Sequence, residues 1–137
     1  MAVAAALAVG CGGEDDAATK RDVRATVHEF ARNIAERDYE HVCRLVTKKV
    51  RADWADFARR NPKRFSTAGC PAFAEDFYGG ASVDRRTLRR GMEAIDRASV
   101  QVKGDRATLT PHGSGRRAGV DDTTVLRKVD GHWLLDN

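Results

Sequence analysis

The apolar positions of the chain change their spacing once, after Gly91. Before that point apolar residues recur at helical spacing, which places them along one side of an α-helix. The first such stretch begins at Thr19, and charged residues fill its other positions. The pattern predicts a long amphipathic helix whose inner side carries Val23, Val27, Phe30, Ala31 and Ile34.

Local signals mark the limits of two more helices. Asp38 is a typical N-cap residue, and it precedes a short helix with Tyr39, Val42, Cys43 and Val46 on its apolar side. The next helix includes Trp54 and Phe57 and stops at Pro62, because proline cannot extend a helix.

The segment "GCPAFAEDFYGG" predicts a fourth helix, opened by Pro71 and closed by Gly79 and Gly80. Phe73 and Phe77 are four residues apart, so they share its inner side. A fifth, shorter helix is predicted from Ser82 or Asp84 to Arg90.

Beyond Gly91 apolar and polar residues alternate, which is typical of half-buried strands. Gly104-Asp105 and Asp130-Gly131 are hairpin turns, and "HGSGRRAG" is a glycine-rich loop. Helices followed by a meander predict an α+β fold, with the helices on one face of an antiparallel sheet. The predicted strands cover 98–103, 106–111, 122–129 and 132–137.

Three segments resemble the nuclear transport factor 2-like superfamily, the cone-shaped fold shared with ketosteroid isomerases. They are "VHEFARNIAERDYEHVCRLVT", "VQVKGDRATLT" and "TTVLRKVDGHWLLDN", and the resemblance covers most of 19–137. It implies a cone domain over 21–137 with a curved antiparallel sheet and an apolar pocket between sheet and helices. Cone-fold domains often form homodimers through the sheet face, and such a homodimer is a further expectation for this chain.

The pocket of such a cone would take its lining from large apolar side chains. The alternative for the same residues is an ordinary core, since aromatic residues at helical spacing are usually buried for packing alone. The candidate lining residues are Trp54, Phe57, Phe73, Phe77, Tyr78, Leu109 and Trp133.

An isomerase-type reaction would need a carboxylate base inside the cone and a hydrogen-bond donor for an oxyanion. Asp96 is the candidate base, because it shares strand parity with Ala98 and Val100, and Tyr39 or Tyr78 could donate. The alternative places Asp96 at the solvated rim. No arrangement of Ser, His and Asp or of Cys and His predicts nucleophilic catalysis.

The segment "MAVAAALAVGCGG" has an apolar run and small residues directly before Cys11. It resembles the lipobox of bacterial lipoproteins, and the resemblance implies that 1–11 is a signal-peptide remnant and that Cys11 carries a diacylglycerol. No basic residue precedes Cys11, so we expect the natural start upstream. The alternative is an alanine-rich terminus with an idle cysteine. Residues 12–20 are predicted to form a flexible tether between the anchor and the domain.

If Cys11 is lipidated, Cys43 and Cys70 remain, and export would place them in an oxidising compartment where a disulfide is the usual outcome. A metal site with His41 or His28, or a thiol nucleophile, are the alternatives. The absence of a Cys-x-x-Cys pair disfavours the metal site. We therefore expect a Cys43–Cys70 disulfide and no metal or other cofactor.

The amino-acid composition limits which classes of protein and function remain. The 42% hydrophobic and 32% charged residues indicate a folded domain, and no apolar run is long enough to cross a membrane. The net charge of +4 includes several arginine pairs, which could favour an anionic surface or simply be solvated. No basic stripe interleaved with aromatic residues predicts nucleic-acid binding.

Together these features predict a lipoprotein domain of the cell envelope, anchored to the extracytoplasmic face of the cell membrane through Cys11. It would bind a small apolar ligand or a protein partner. The alternative is a cone-fold enzyme of the isomerase or hydratase type that uses Asp96. An exposed apolar patch would favour the protein partner, and a carboxylate of raised pKa in a closed apolar pocket would favour the enzyme.

Overall fold

Five helices precede a four-stranded antiparallel sheet in the computed structural model, which describes residues 13–80, 84–112 and 123–137, with side chains from residue 16 onward. The predicted lipobox with Cys11 and most of the glycine-rich loop lie outside these residues. The α+β class predicted from the sequence is confirmed. The elements are α1 (Gly13–Glu36), α2 (Tyr39–Arg44), α3 (Lys48–Arg60), α4 (Cys70–Tyr78), α5 (Arg85–Arg97), β1 (Ser99–Lys103), β2 (Arg106–Thr110), β3 (Thr124–Val129) and β4 (His132–Leu135).

The first helix begins at Gly13, inside the segment for which the sequence predicts a tether. Ala17 and Ala18 are strong helix formers, and Lys20 Nζ lies 2.9 Å from the carboxylate of Asp16 one turn earlier. None of residues 16–20 is buried, so this end of α1 adds no apolar residue to the core.

Side-chain caps and one proline start the next three helices, and the sequence predicts the starts of α2 and α4. The Asp38 carboxylate accepts a hydrogen bond from His41 N at 3.0 Å at the start of α2. Thr47 Oγ1 accepts one from Val50 N at 3.3 Å at the start of α3. Pro71 occupies the first turn of α4. Each cap satisfies an amide that the helix itself leaves free.

The fifth helix is longer than predicted, since it continues past Gly91 to Arg97. Leu88, Met92 and Ile95 recur at helical spacing, and all three side chains are half-buried. The burial of these apolar side chains outweighs the roughly 1 kcal/mol by which a single glycine weakens a helix. The strand position predicted for Asp96 is therefore wrong, because Asp96 lies in the last turn of α5.

The sheet is a simple meander in the order β1-β2-β3-β4. Asp130 and Gly131 both have positive φ, of 49° and 81°, as a tight two-residue hairpin between β3 and β4 requires. A parallel bridge joins Val46 to Leu135, so the segment between α2 and α3 lies along the outer edge of β4.

One face of the sheet packs against α1 and forms the main core. Leu126 is completely buried at its centre, between Ala107 on β2 and Leu135 on β4. Val23 and Val27 of α1 cover this face. The core cluster comprises Val23, Val27, Ala98, Val100, Ala107, Leu109, Leu126 and Trp133.

The cap of α5 leads to a testable pH dependence. Asp84 accepts a hydrogen bond from Thr87 N at 2.7 Å, and this bond lowers the pKa of the Asp84 carboxyl below its ordinary value. A lowered folded-state pKa means that the cap stabilises α5 fully above the unfolded pKa and is lost as the pH falls through the folded one. We expect the amide resonance of Thr87 to titrate in NMR spectra with a midpoint below 3.8, the ordinary value of an aspartate carboxyl. Asp84→Asn keeps a capping side chain and should abolish this titration, whereas a midpoint at or above the ordinary value would contradict the cap.

Candidate functional site

Aromatic side chains gather where α3 and α4 meet. Trp54 and Phe57 come from α3, and Phe73, Phe77 and Tyr78 come from α4. The ring centroids of Trp54 and Phe73 are 5.3 Å apart, and those of Phe73 and Phe77 are 5.8 Å apart in a stacked arrangement. The structure thus brings together five of the residues that the sequence predicts as pocket lining.

The segment between α3 and α4 adds a sixth ring, Phe65, which the sequence analysis missed. Phe65 N donates to Asn61 O at 3.1 Å, and Ser66 N donates to the carboxylate of Asp76 at 2.6 Å. These bonds fold the segment back against α4, so the Phe65 ring lies 5.2 Å from that of Phe73 and 5.3 Å from that of Phe57. Phe65 follows no helical or strand spacing, so periodicity could not identify it.

Two of these rings are open to solvent. Phe57 is 40% exposed and Phe77 is 54% exposed, while Phe65 and Phe73 between them are buried. The ring contacts make these four side chains continuous. We call Phe57, Phe65, Phe73 and Phe77 the aromatic patch. Single exposed apolar residues are common on proteins, but a contiguous cluster of this kind usually marks a binding surface.

A disulfide and an aromatic contact hold the helix that carries part of the patch, α4, against α2 and α1. Cys43 of α2 and Cys70 of α4 form the disulfide that the sequence predicts, with their Cα atoms 6.1 Å apart. Tyr78 packs edge-on against Phe30 of α1, and burial raises the pKa of the Tyr78 phenol. The disulfide and this contact tie α4 to α2 and α1, so the patch sits on a fixed base.

Positive charges adjoin the patch. The Arg64 guanidinium lies 5.4 Å from the centre of the Phe65 ring, within the range of a cation–π interaction. Arg59 and Arg60 end α3, and Lys63 follows them; all three side chains are exposed. We call Arg59, Arg60, Lys63 and Arg64 the basic rim.

Beside the patch lies a cavity of about 130 Å³, bordered by Trp54, Ser66 and Phe73. This volume is below the roughly 300–1,000 Å³ of typical small-molecule sites. A larger open cleft of about 590 Å³ lies between α1, Leu45 and the β3–β4 hairpin. Its walls include Asp22, Glu29 and His132, so it is not an apolar pocket.

The remaining predicted site residues lie elsewhere. Trp133 and Leu109 are buried in the main core beneath α1, apart from the aromatic patch. The Asp96 carboxylate is 64% exposed and lies 3.0 Å from His28 Nε2. Asp96 therefore lies on the surface, not in an apolar pocket where a carboxylic acid would stay protonated.

Within residues 13–80, 84–112 and 123–137, no group of three or more His, Cys, Asp or Glu side chains is placed to hold a metal ion. Across the same ranges, no helix has both the length and the apolar character needed to cross a bilayer. The chain matches no protein-family model, no curated protein and no solved structure. Any functional assignment therefore depends on the geometry of the chain itself.

Proposed function

We propose that this chain is an extracytoplasmic lipoprotein domain that binds a protein partner through the aromatic patch. The single observation that carries the proposal is the continuity of two exposed phenylalanine rings, Phe57 and Phe77, with buried rings on a disulfide-supported base. The partner surface would be apolar at its centre and would carry an acidic group opposite Arg64, whose guanidinium lies over the Phe65 ring.

A protein partner fits the geometry better than a small apolar ligand. The space between α1 and the sheet is filled by the protein's own side chains, among them Val23, Leu109 and Leu126, all 2% exposed or less. The cavity beside the patch is only about 130 Å³. Protein-binding surfaces commonly use aromatic anchors surrounded by polar groups, which is the arrangement of the patch and its rim.

The finer fold assignment is part of the same proposal. We infer a cone of the nuclear transport factor 2-like kind, in which helices cover one face of the meander and Val46 closes its far edge. The predicted diacylglycerol on Cys11 would hold this domain at the membrane, and the disulfide is compatible with an oxidising compartment. Intact mass and membrane fractionation of the native protein test the anchor: an unmodified, water-soluble product would contradict it.

A photo-crosslinking residue at position 77 tests the partner site in native cell envelopes. We expect one discrete protein adduct, because Phe77 is the most exposed ring of the patch. Phe57→Ser should reduce the adduct at least about ten-fold, since aromatic anchors of interfaces often contribute about 2 kcal/mol or more. Intensity on immunoblots after irradiation gives the measurement.

Val129 provides the matched control position. It is also apolar and 38% exposed, but it ends β3 on the sheet, apart from the patch. A crosslinker at 129 should yield no discrete adduct. Equal adducts from both positions, or none from position 77, would rule out the patch as the binding surface.

A further inference from the structure

Basic side chains form a stripe along α1, away from the aromatic patch. Arg21, Arg24, His28 and Arg32 follow one another at spacings of three or four residues, so they share one side of the helix. The core residues Val23 and Val27 face the sheet instead. The stripe lines a groove of about 330 Å³ that Asp96 of α5 completes; we call it the arginine groove.

The groove holds unused hydrogen-bonding capacity. Arg24 Nη2 donates to Ala98 O at 2.9 Å, which fixes the guanidinium at the junction of α1 and α5. Arg24 Nε is buried and has no hydrogen-bond partner among the residues that the structure describes. His28 Nε2 is 3.0 Å from the Asp96 carboxylate but is not aligned for a hydrogen bond with it. A buried donor without an acceptor is unfavourable, and both side chains belong to residues that line the groove in which an anion could supply one.

The charges of the groove select an anion. Its walls carry three guanidinium groups against a single carboxylate, so the groove is positive whether or not His28 is protonated. Guanidinium groups bind phosphate oxygens through paired hydrogen bonds, and the fixed guanidinium of Arg24 loses little freedom in doing so. About 330 Å³ leaves room for a phosphate with part of an organic group attached to it.

We propose that the arginine groove binds the phosphate of an anionic phospholipid headgroup. The inference deepens the membrane-anchored part of the proposed function and does not depend on the aromatic patch. The helix that carries the stripe begins two residues after Cys11, so a lipid on that cysteine would bring the groove near the headgroups. The groove would then orient the domain on the membrane, which a flexible acyl anchor alone does not do.

A nucleic-acid phosphate fits the groove less well. Proteins that bind single strands add aromatic platforms on which bases stack. The groove is lined by Arg21, Arg24, Ala25, His28, Arg32 and Asp96, with no Phe, Tyr or Trp among them.

Cosedimentation of the unacylated full chain with vesicles tests the proposal separately from Cys11. We expect the chain to bind mixed vesicles of phosphatidylglycerol and phosphatidylcholine but not vesicles of phosphatidylcholine alone. The binding to mixed vesicles should weaken as the salt concentration rises. Arg21→Gln with Arg32→Gln should weaken the binding about 25-fold, since each arginine near an anionic surface contributes about five-fold. Both side chains are exposed, so the double variant should still fold.

Two further variants distinguish binding at the groove from a general effect of the chain's net positive charge. Arg60→Gln with Lys63→Gln removes the same charge from the basic rim and should change vesicle binding less than about two-fold. Asp96→Asn removes the groove's carboxylate and should tighten binding while the circular-dichroism spectrum and Tm stay those of the folded protein. Equal losses in both double variants, or no binding to anionic vesicles at low salt, would overturn the proposal. Stronger binding to an oligonucleotide than to anionic vesicles would also overturn it by identifying a different phosphate source.

Discussion

Without the Cys43–Cys70 disulfide, we expect the free energy of unfolding to fall by about 3–4 kcal/mol. The bond closes a loop with a sequence separation of 27 residues, and breaking it frees the unfolded chain to adopt many more conformations. The folded state also loses a covalent link between α2 and α4, whose other contacts are the packing of Val42, Ala74 and their neighbours. The loss is a large share of the roughly 5–15 kcal/mol of a typical domain.

Thermal unfolding of the Cys43→Ala, Cys70→Ala double variant, followed by circular dichroism, measures the effect. We expect Tm to fall by about 10–20 °C for a domain of this size. The wild-type protein in strong reductant is the matched control and should approach the same Tm. An unchanged Tm in both samples would contradict the expected stabilisation by the bond.

The second large effect concerns Leu126, which has no exposed surface and lies at the centre of the sheet's inner face. Leu126→Ala should lower the free energy of unfolding by about 2–5 kcal/mol, because it removes buried methyl groups and leaves a cavity beneath α1. Urea denaturation should show a lower midpoint with an unchanged slope.

Leu134→Ala is the control for Leu126→Ala. Leu134 lies on the neighbouring strand but on the opposite face of the sheet, and it is only half-buried. Its replacement should lower the free energy of unfolding by less than about 1.5 kcal/mol. Equal losses in the two variants would contradict the assignment of the inner and outer faces.

Local chemistry made much of the fold predictable. Asp38 and Pro71 each act within a few residues of their own position, so the starts of α2 and α4 could be predicted without any tertiary contact. Val46, predicted on the apolar side of α2, instead lies beyond the end of that helix and bridges to β4. The Asp130-Gly131 turn likewise set the final hairpin. The change from helical to alternating spacing identified the sheet, and the short turns at Gly104-Asp105 and Asp130-Gly131 indicated the pairing of β1 with β2 and of β3 with β4.

The errors in the predicted fold, at the end of α5 and at Asp96, have a common physical cause. Gly91 suggested a break, yet a glycine weakens a helix by only about 1 kcal/mol, and the amphipathic spacing of α5 prevailed. Placing Asp96 on a strand followed from that error. Whether helix propensity or packing prevails depends on contacts with residues that are distant in the sequence. A short window of sequence does not contain those contacts.

In the candidate sites too, sequence spacing predicts some residues and tertiary contacts alone reveal the others. The aromatic residues of α3 and α4 could be proposed as a group because helical spacing aligns them, but only the folded segment between the helices brings Phe65 to the patch. Trp133 was grouped with them by type, although its strand places it in a different core. The sequence did not predict the arginine groove, because its second wall comes from Asp96 of α5, which only the folded chain brings beside α1.

The two edges of the sheet differ in a way that limits how copies of this chain could join. Backbone bonds from Leu135 N to Leu45 O at 2.8 Å and from Thr47 N to Leu135 O at 2.9 Å already occupy the β4 side. On the other side, β1 pairs with β2 and with no other strand in the part of the chain that the structure describes. Strand addition between molecules at the β1 edge would therefore join β1 to β1 around a two-fold axis. Growth by this pairing ends at two copies, because it uses the β1 edge of each.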